Sequence, residues 1–171
     1  MGKLTFITGP VRSGKSQWAV RAAEDWGKNV VFVATYRADP RDQEMAERVR
    51  RHQAERPGWR TLEAPEDAVA GLKQLSPAPS GVIFDCLTLW ASDRFSQSDE
   101  HIVRQWSSQL TQLKASAWPT IIVSNELGWS LVPPDASARR FRDLTGTLAQ
   151  ATASAADEAW LLVAGCGVRL K

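Results

Sequence analysis

The chain has 171 residues, with 21 Lys and Arg against 19 Asp and Glu, a near balance that leaves no polybasic footprint for nucleic acid or an anionic membrane. Hydrophobic residues at 43% and charged ones at 23% describe an ordinary globular composition, sufficient for one domain over 1–171 with a core that needs no staples. Two cysteines outside any CxxC pair and two scattered histidines make no zinc-ligand spacing and suit a reducing cytoplasm, the expected location. No apolar run reaches the roughly 18 residues of a membrane span, and Gly9, Arg12 and Lys15 interrupt the first apolar stretch too early for a secretory signal.

Short apolar runs alternate with longer amphipathic stretches along the chain. Leu4 to Thr8 reads as a buried strand, Lys15 to Trp26 as the helix after it, and Val30 to Ala34 as a second strand. Asp42 to Gln53 is expected to be helical, with Glu44/Arg48 and Glu47/Arg51 at i,i+4 on its wet side. A short strand over Trp59 to Glu63 and a helix over Glu66 to Leu75 follow. Ser76 to Gly81, with two prolines, can only be a turn. Gly81 to Asp85 and Thr120 to Ser124 are strands separated by a helical region, clearest from Glu100 to Ser116. Ser137 to Ala156 is a long helix and Ala159 to Ala164 a late strand. Gly165-Cys166-Gly167 then turns the chain into a terminal or edge strand at Val168 to Leu170. The pattern predicts an α/β fold, a mostly parallel sheet flanked by helices on both faces, with ligands at the carboxyl ends of its strands.

One such end carries the sharpest signal. Gly9-Pro10-Val11-Arg12-Ser13-Gly14-Lys15-Ser16 satisfies G-x-x-x-x-G-K-[ST] between a strand and a helix, where that motif belongs. The glycines let successive N–H groups and the helix N-terminus face an anion. Lys15 adds charge near the β- and γ-phosphates, and the Ser16 hydroxyl can ligate Mg²⁺. The sequence therefore predicts a nucleoside triphosphate site. Asp85, ending its strand, is the candidate second magnesium residue, reaching in from the neighbouring strand; the alternative is a cap on the next helix.

The remaining candidates each have two readings. His52 falls at i+7 from Met45, with Val49 between them at i+4, beside Arg48, Arg51 and Arg56. It is either a partner for the helix C-terminus or a neutral imidazole placed to attack phosphorus. His101 opens a polar helix and reads as a surface residue. Asn125 and Glu126 follow the Thr120 strand directly and form a possible substrate loop. There Glu126 either orients an acceptor hydroxyl or is satisfied by backbone N–H groups. Arg139, Arg140 and Arg142 either steer a phosphorylated substrate or, the preferred reading, form a solvated helix face. Trp90 and Trp129, each just after a strand, are the tryptophans placed to line a bulky apolar ligand.

Several segments resemble the adenosylcobinamide kinase/adenosylcobinamide-phosphate guanylyltransferase family of cobalamin biosynthesis. They are TGPVRSGKS, VFVAT, DQEMAERVRRHQAERPGWRTLE at 42–63, FDCLTLW at 84–90, IIVSNELGWSLVPPD at 121–135 and the run from Arg139 to Lys171. The resemblance implies a P-loop NTPase fold of the RecA-like kind and a homotrimer. It implies ATP- or GTP-dependent phosphorylation of adenosylcobinamide, followed by GMP transfer from GTP to adenosylcobinamide phosphate, with Mg²⁺ accompanying the nucleotide. It implies that His52 carries the GMP. The nucleotide contacts it implies are Gly9 to Ser16, Ala34, Thr35, Tyr36, Gln53, Ala54, Glu55, Arg56, Glu63 and Asp85. Two departures stand out: Pro10 where glycine is frequent, and Arg51 where some relatives have a second histidine. A single-activity P-loop kinase and a GTP-binding sensor module are the competing readings of the same loop.

Overall fold

The computed structural model describes residues 2–37, 43–54 and 58–171, with the side chains of Met45, Arg48, Arg51 and His52 also outside the description. Seven strands form one sheet in the order β3-β2-β4-β5-β1-β6-β7. They are β1 (Leu4–Thr8), β2 (Val30–Ala34), β3 (Arg60–Glu63), β4 (Gly81–Asp85), β5 (Thr120–Val123), β6 (Glu158–Val163) and β7 (Cys166–Arg169). Every pairing is parallel except β6 with β7. The helices are α1 (Lys15–Ala23), α2 (Gln43–Ala54), α3 (Ala68–Lys73), α4 (Leu87–Asp93), α5 (Asp99–Ala115) and α6 (Ala136–Ala155).

Period-two alternation in the strands divides the core. Leu4, Phe6, Val31, Val33, Val82, Phe84 and Ile122 face one side, where α3, α4, α5 and α6 cover them. Ile7, Val30, Phe32, Ile83, Ile121 and Val123 face the other, against α1. A strand buried on both faces must be apolar at nearly every position, which is why these runs stood out in the sequence. Trp106 of α5 anchors the larger side. Its ring meets Phe84 at 5.2 Å and Trp90 at 4.9 Å, and its Nε1 donates to Thr152 Oγ1 of α6 at 2.8 Å.

β1, β2 and β4 run as the sequence predicts. The first helix is shorter: α1 stops at Ala23 and a 3-10 turn, Glu24–Trp26, completes it. α3 is shorter too, because Asp67 caps it by accepting from Ala70 N at 2.9 Å. Glu47 pairs with Arg50 at i,i+3, 2.7 Å apart; the side chains of Arg48 and Arg51 lie outside the described residues. Within the helical region before β5, α4 is a separate short helix. The last turn is tighter than expected. Ala164 and Gly165 alone make it, at φ 50° and 81°, and Val163 pairs directly with Cys166. Two left-handed residues match the twist of the flanking strands, the usual solution for a two-residue hairpin.

Candidate active site

Because β1 to β6 are parallel, their carboxyl ends share one edge of the sheet, and the loops there form the site. β1 delivers Gly9, and α1 begins at Lys15 with Gly14 as its N-cap in the left-handed region, φ 92°. Gly9 has no room for a side chain: a Cβ would lie 2.2 Å from Leu162 O. Pro10 cannot donate, but its carbonyl organises the loop, accepting from Ser13 N at 3.3 Å and from Lys15 Nζ at 2.6 Å. Lys15 Nζ also donates to Ser13 Oγ at 3.3 Å, so the ammonium is curled over the loop and largely buried. Arg12 and Val11 form the exposed crest, Arg12 at φ 60°.

The loop is tied to its surroundings on two sides. Glu126 N donates to Gly9 O at 2.9 Å, joining it to the segment after β5. Gly165 N donates to Ser13 O at 3.0 Å, seating the β6–β7 hairpin on it. A trans peptide directs C=O and N–H oppositely. Holding Ser13 O against the hairpin therefore turns Gly14 N–H away from the hairpin. Nothing in the sequence ties Gly165 to the loop; only the sheet order brings it there.

Ser16 Oγ donates to Asp85 Oδ2 at 3.0 Å. Asp85 caps no helix, since α4 has Cys86 as its N-cap. Nor is it on the strand next to β1. β5 lies between β1 and β4, correcting the expectation of a neighbouring strand, and α1 reaches across β5 to bring Ser16 to Asp85. A hydroxyl and a carboxylate oxygen facing each other are hard donors of the kind that hold Mg²⁺ beside phosphates.

Behind Asp85 lies a buried network that the sequence did not suggest. Thr35 hydrogen-bonds the backbone of Asp85 and Cys86. Asn125 Nδ2 donates to Thr88 Oγ1 at 3.0 Å, and Thr88 Oγ1 lies 3.0 Å from Cys86 Sγ. Burial and the Asp85 charge push the Cys86 thiol up to about 11, so it stays protonated and inert near neutrality. Glu126 has the blander of its two geometries, its Oε1 accepting from Gly128 N at 2.7 Å. Ala34 and Tyr36 are half-buried beside Thr35. Gln53 Nε2 donates to Glu63 Oε1 at 3.3 Å, which brings the last turn of α2 to the end of β3. Ala54 is exposed in that turn. His52 lies in the same turn with its imidazole outside the described side chains, and Glu55 and Arg56 lie outside the described residues.

Trp90 is not a ligand-lining residue. It is 3% exposed, packed at a tilt against Trp106 and under the Arg94 guanidinium at 4.4 Å. Trp129 stands out at 63% exposed, with Leu131 at 93% and Val132 at 67% in the same loop. Arg140 is a cross-link rather than a solvated residue, bonded to Asp99, Phe95 O and Gln97 O. Arg139 holds the carbonyls of Pro133 and Pro134.

A parallel sheet with a phosphate loop after β1, and an acidic residue two strands away meeting its serine, defines a P-loop nucleotide-dependent enzyme. The solved RadB recombinase shares the fold at TM-score 0.54 and 19% identity, over 94% of this chain and 74% of that one. The sequence model of the cobinamide kinase / cobinamide phosphate guanyltransferase family matches residues 5–170, and the chain belongs to that family. It is 37% identical to the bifunctional adenosylcobalamin biosynthesis protein CobP of Pseudomonas aeruginosa, over 97% of this chain and 96% of that protein. It is 31% identical to the bifunctional adenosylcobalamin biosynthesis protein CobU of Salmonella typhimurium, over 98% and 99% respectively.

Proposed function

We propose that one domain and one nucleotide site run both reactions in the family's name. In the first, the γ-phosphoryl group of ATP or GTP passes to the hydroxyl of adenosylcobinamide. In the second, an imidazole nitrogen of His52 attacks the α-phosphorus of GTP. A P–N bond forms, the bond to the bridging oxygen breaks, and pyrophosphate leaves. A phosphate oxygen of adenosylcobinamide phosphate then attacks the same phosphorus, breaking the P–N bond and giving adenosylcobinamide-GDP with His52 restored.

The observation that carries this reading is the Ser16 Oγ to Asp85 Oδ2 contact of 3.0 Å beside the phosphate loop. Ser16 and Asp85 would hold the Mg²⁺ of the nucleotide, which when bound neutralises phosphate charge. Lys15 would add a cation at the β- and γ-phosphates, and the N–H groups of residues 14–16 would supply fixed dipoles. Ala34, Tyr36, Gln53, Ala54, Glu55, Arg56 and Glu63 would line the rest of the nucleotide site, with the Thr35 hydroxyl committed to the backbone behind Asp85. Asn125 and Glu126 begin the loop that faces the acceptor. A homotrimer in the cytoplasm, where ATP and GTP are plentiful, completes the proposal. No helix among the described residues is long and apolar enough to cross a membrane.

The test is incubation with GTP labelled at the α-phosphate. The protein gains one guanylyl group through an acid-labile, comparatively base-stable bond, and His52→Asn abolishes the adduct and the transferase reaction while retaining the kinase. An adduct that survives in His52→Asn removes that residue from the role.

A further inference from the structure

Thr35 is 4% exposed just beyond β2, and its polar atoms are committed to one stretch of backbone. Its N–H donates to Asp85 O at 3.1 Å. Its hydroxyl donates to Cys86 O at 2.7 Å and accepts from Cys86 N at 2.8 Å. The hydroxyl has a single proton, and Cys86 O takes it.

The place where this happens gives it meaning. The sheet holds β4 in register up to Asp85, whose last partners are Ala34 on β2 and Val123 on β5. Beyond that residue the ladder ends on both sides and the chain departs into α4. Asp85 therefore stands at the junction between the sheet and the departing backbone, and Thr35 grips that backbone at the next residue. On the β5 side, the Asn125–Thr88–Cys86 contacts hold the start of α4 from the opposite flank.

We propose that Thr35 is a positioning residue for the cation site: its hydroxyl fixes the Cys86 backbone so that the Asp85 carboxylate points at Ser16. This gives Thr35 an indirect part in nucleotide binding, in place of the direct contact that family resemblance implies, and it rests on the reading that Ser16 and Asp85 hold the cation. Polar partners one step behind a metal ligand commonly carry 10- to 100-fold of metal affinity.

The experiment compares Thr35→Val, which keeps the shape but loses the hydroxyl, with Thr35→Ser, which keeps the hydroxyl. Each variant is mixed with α,β-methylene-GTP, which cannot release its GMP, and bound Mn²⁺ is measured by electron paramagnetic resonance. Nucleotide affinity is measured separately in EDTA, and melting temperature reports the fold. In Thr35→Val, Mn²⁺ binding weakens by about tenfold or more while affinity for the analogue in EDTA stays within about twofold. Thr35→Ser restores most of the loss. If Thr35→Val does not fold, Thr35→Ala takes its place.

A fall in metal-free nucleotide affinity equal to the fall in Mn²⁺ binding would overturn the proposal in favour of direct nucleotide contact. A lower melting temperature with unchanged Mn²⁺ binding would reduce Thr35 to a structural residue. Asp85→Asn separates the layers. Loss of Mn²⁺ binding there, with none in Thr35→Val, overturns the positioning role alone. No loss in either variant overturns the underlying cation reading as well.

Discussion

At the scale of single residues, the phosphate loop was legible because its chemistry demands particular residue types at fixed spacing. Gly9 must approach Leu162 O, Gly14 must sit left-handed, and Ser16 must reach a carboxylate. If one bound triphosphate feeds both reactions, Lys15→Ala and Ser16→Ala should each lower kinase and transferase rates together, by about a hundredfold or more. Separate assays check this, and a variant that keeps either rate near normal would contradict a shared site. The two cysteines give a second residue-level test. Cys86 is buried with its thiol raised to about 11, whereas Cys166 is exposed. Iodoacetamide at pH 8 should label the native protein once, at Cys166, and twice only after denaturation. The reading of Trp90 failed for a local reason. Leu87, Trp90 and Ala91 fall at i, i+3 and i+4 on a helix seven residues long, whose N-cap, Cys86, makes no side-chain capping bond. The Asp that could have announced that helix, Asp85, stands one residue too early and turns to Ser16 instead, so the sequence does not mark the face on which Trp90 is buried.

At the scale of elements, strands buried on both faces announce themselves, and helix ends follow their caps. Asp67, Ser98 and Asp135 each accept from a first-turn N–H of α3, α5 and α6. The junction between α5 and α6 offers a measurable case. Trp106→Phe keeps an aromatic ring but removes the donor to Thr152 Oγ1 and part of the buried ring, and should cost about 1–3 kcal/mol in denaturant unfolding. Trp106→Ala should cost about 3–5 kcal/mol through the cavity it leaves. Acid should act on the connection between α6 and β6. The Asp157 carboxylate accepts from Leu4 N at 2.8 Å and pairs with Lys114. Those partners hold it below its ordinary value of 3.8. Glu158 is likewise held down, chiefly by Lys3. A carboxyl depressed in the fold stabilises above its unfolded pKa and stops doing so as the pH drops through the folded one. Melting temperature should therefore be flat in this respect from pH 7 to about 5 and decline below about 4. Asp157→Asn should show a shallower decline.

At the scale of the whole molecule, the class of fold was legible but the strand order was not. Alternating apolar strands and amphipathic helices imply a parallel sheet, yet nothing in residues 120–123 says that β5 inserts between β1 and β4. That insertion sets the distance α1 must span, and it places Asn125 beside Thr88 and Cys86. The same order joins remote parts of the chain. β1, made first, takes its neighbours β5 and β6 from residues 120–123 and 158–161, and Ser13 O waits for Gly165. On a ribosome, the phosphate loop would emerge more than 140 residues before the strand and turn that complete it. Such long-range closure is slow and comes late. Nascent chains halted at Val163 should not be retained on immobilised GTP, whereas full-length chains released from the ribosome should be. Retention of the halted chains would mean that the loop forms without the hairpin. The order of elements along the chain would thus withhold the ability to hold nucleotide until the β6–β7 hairpin has emerged, so that a chain stopped before it would not sequester GTP.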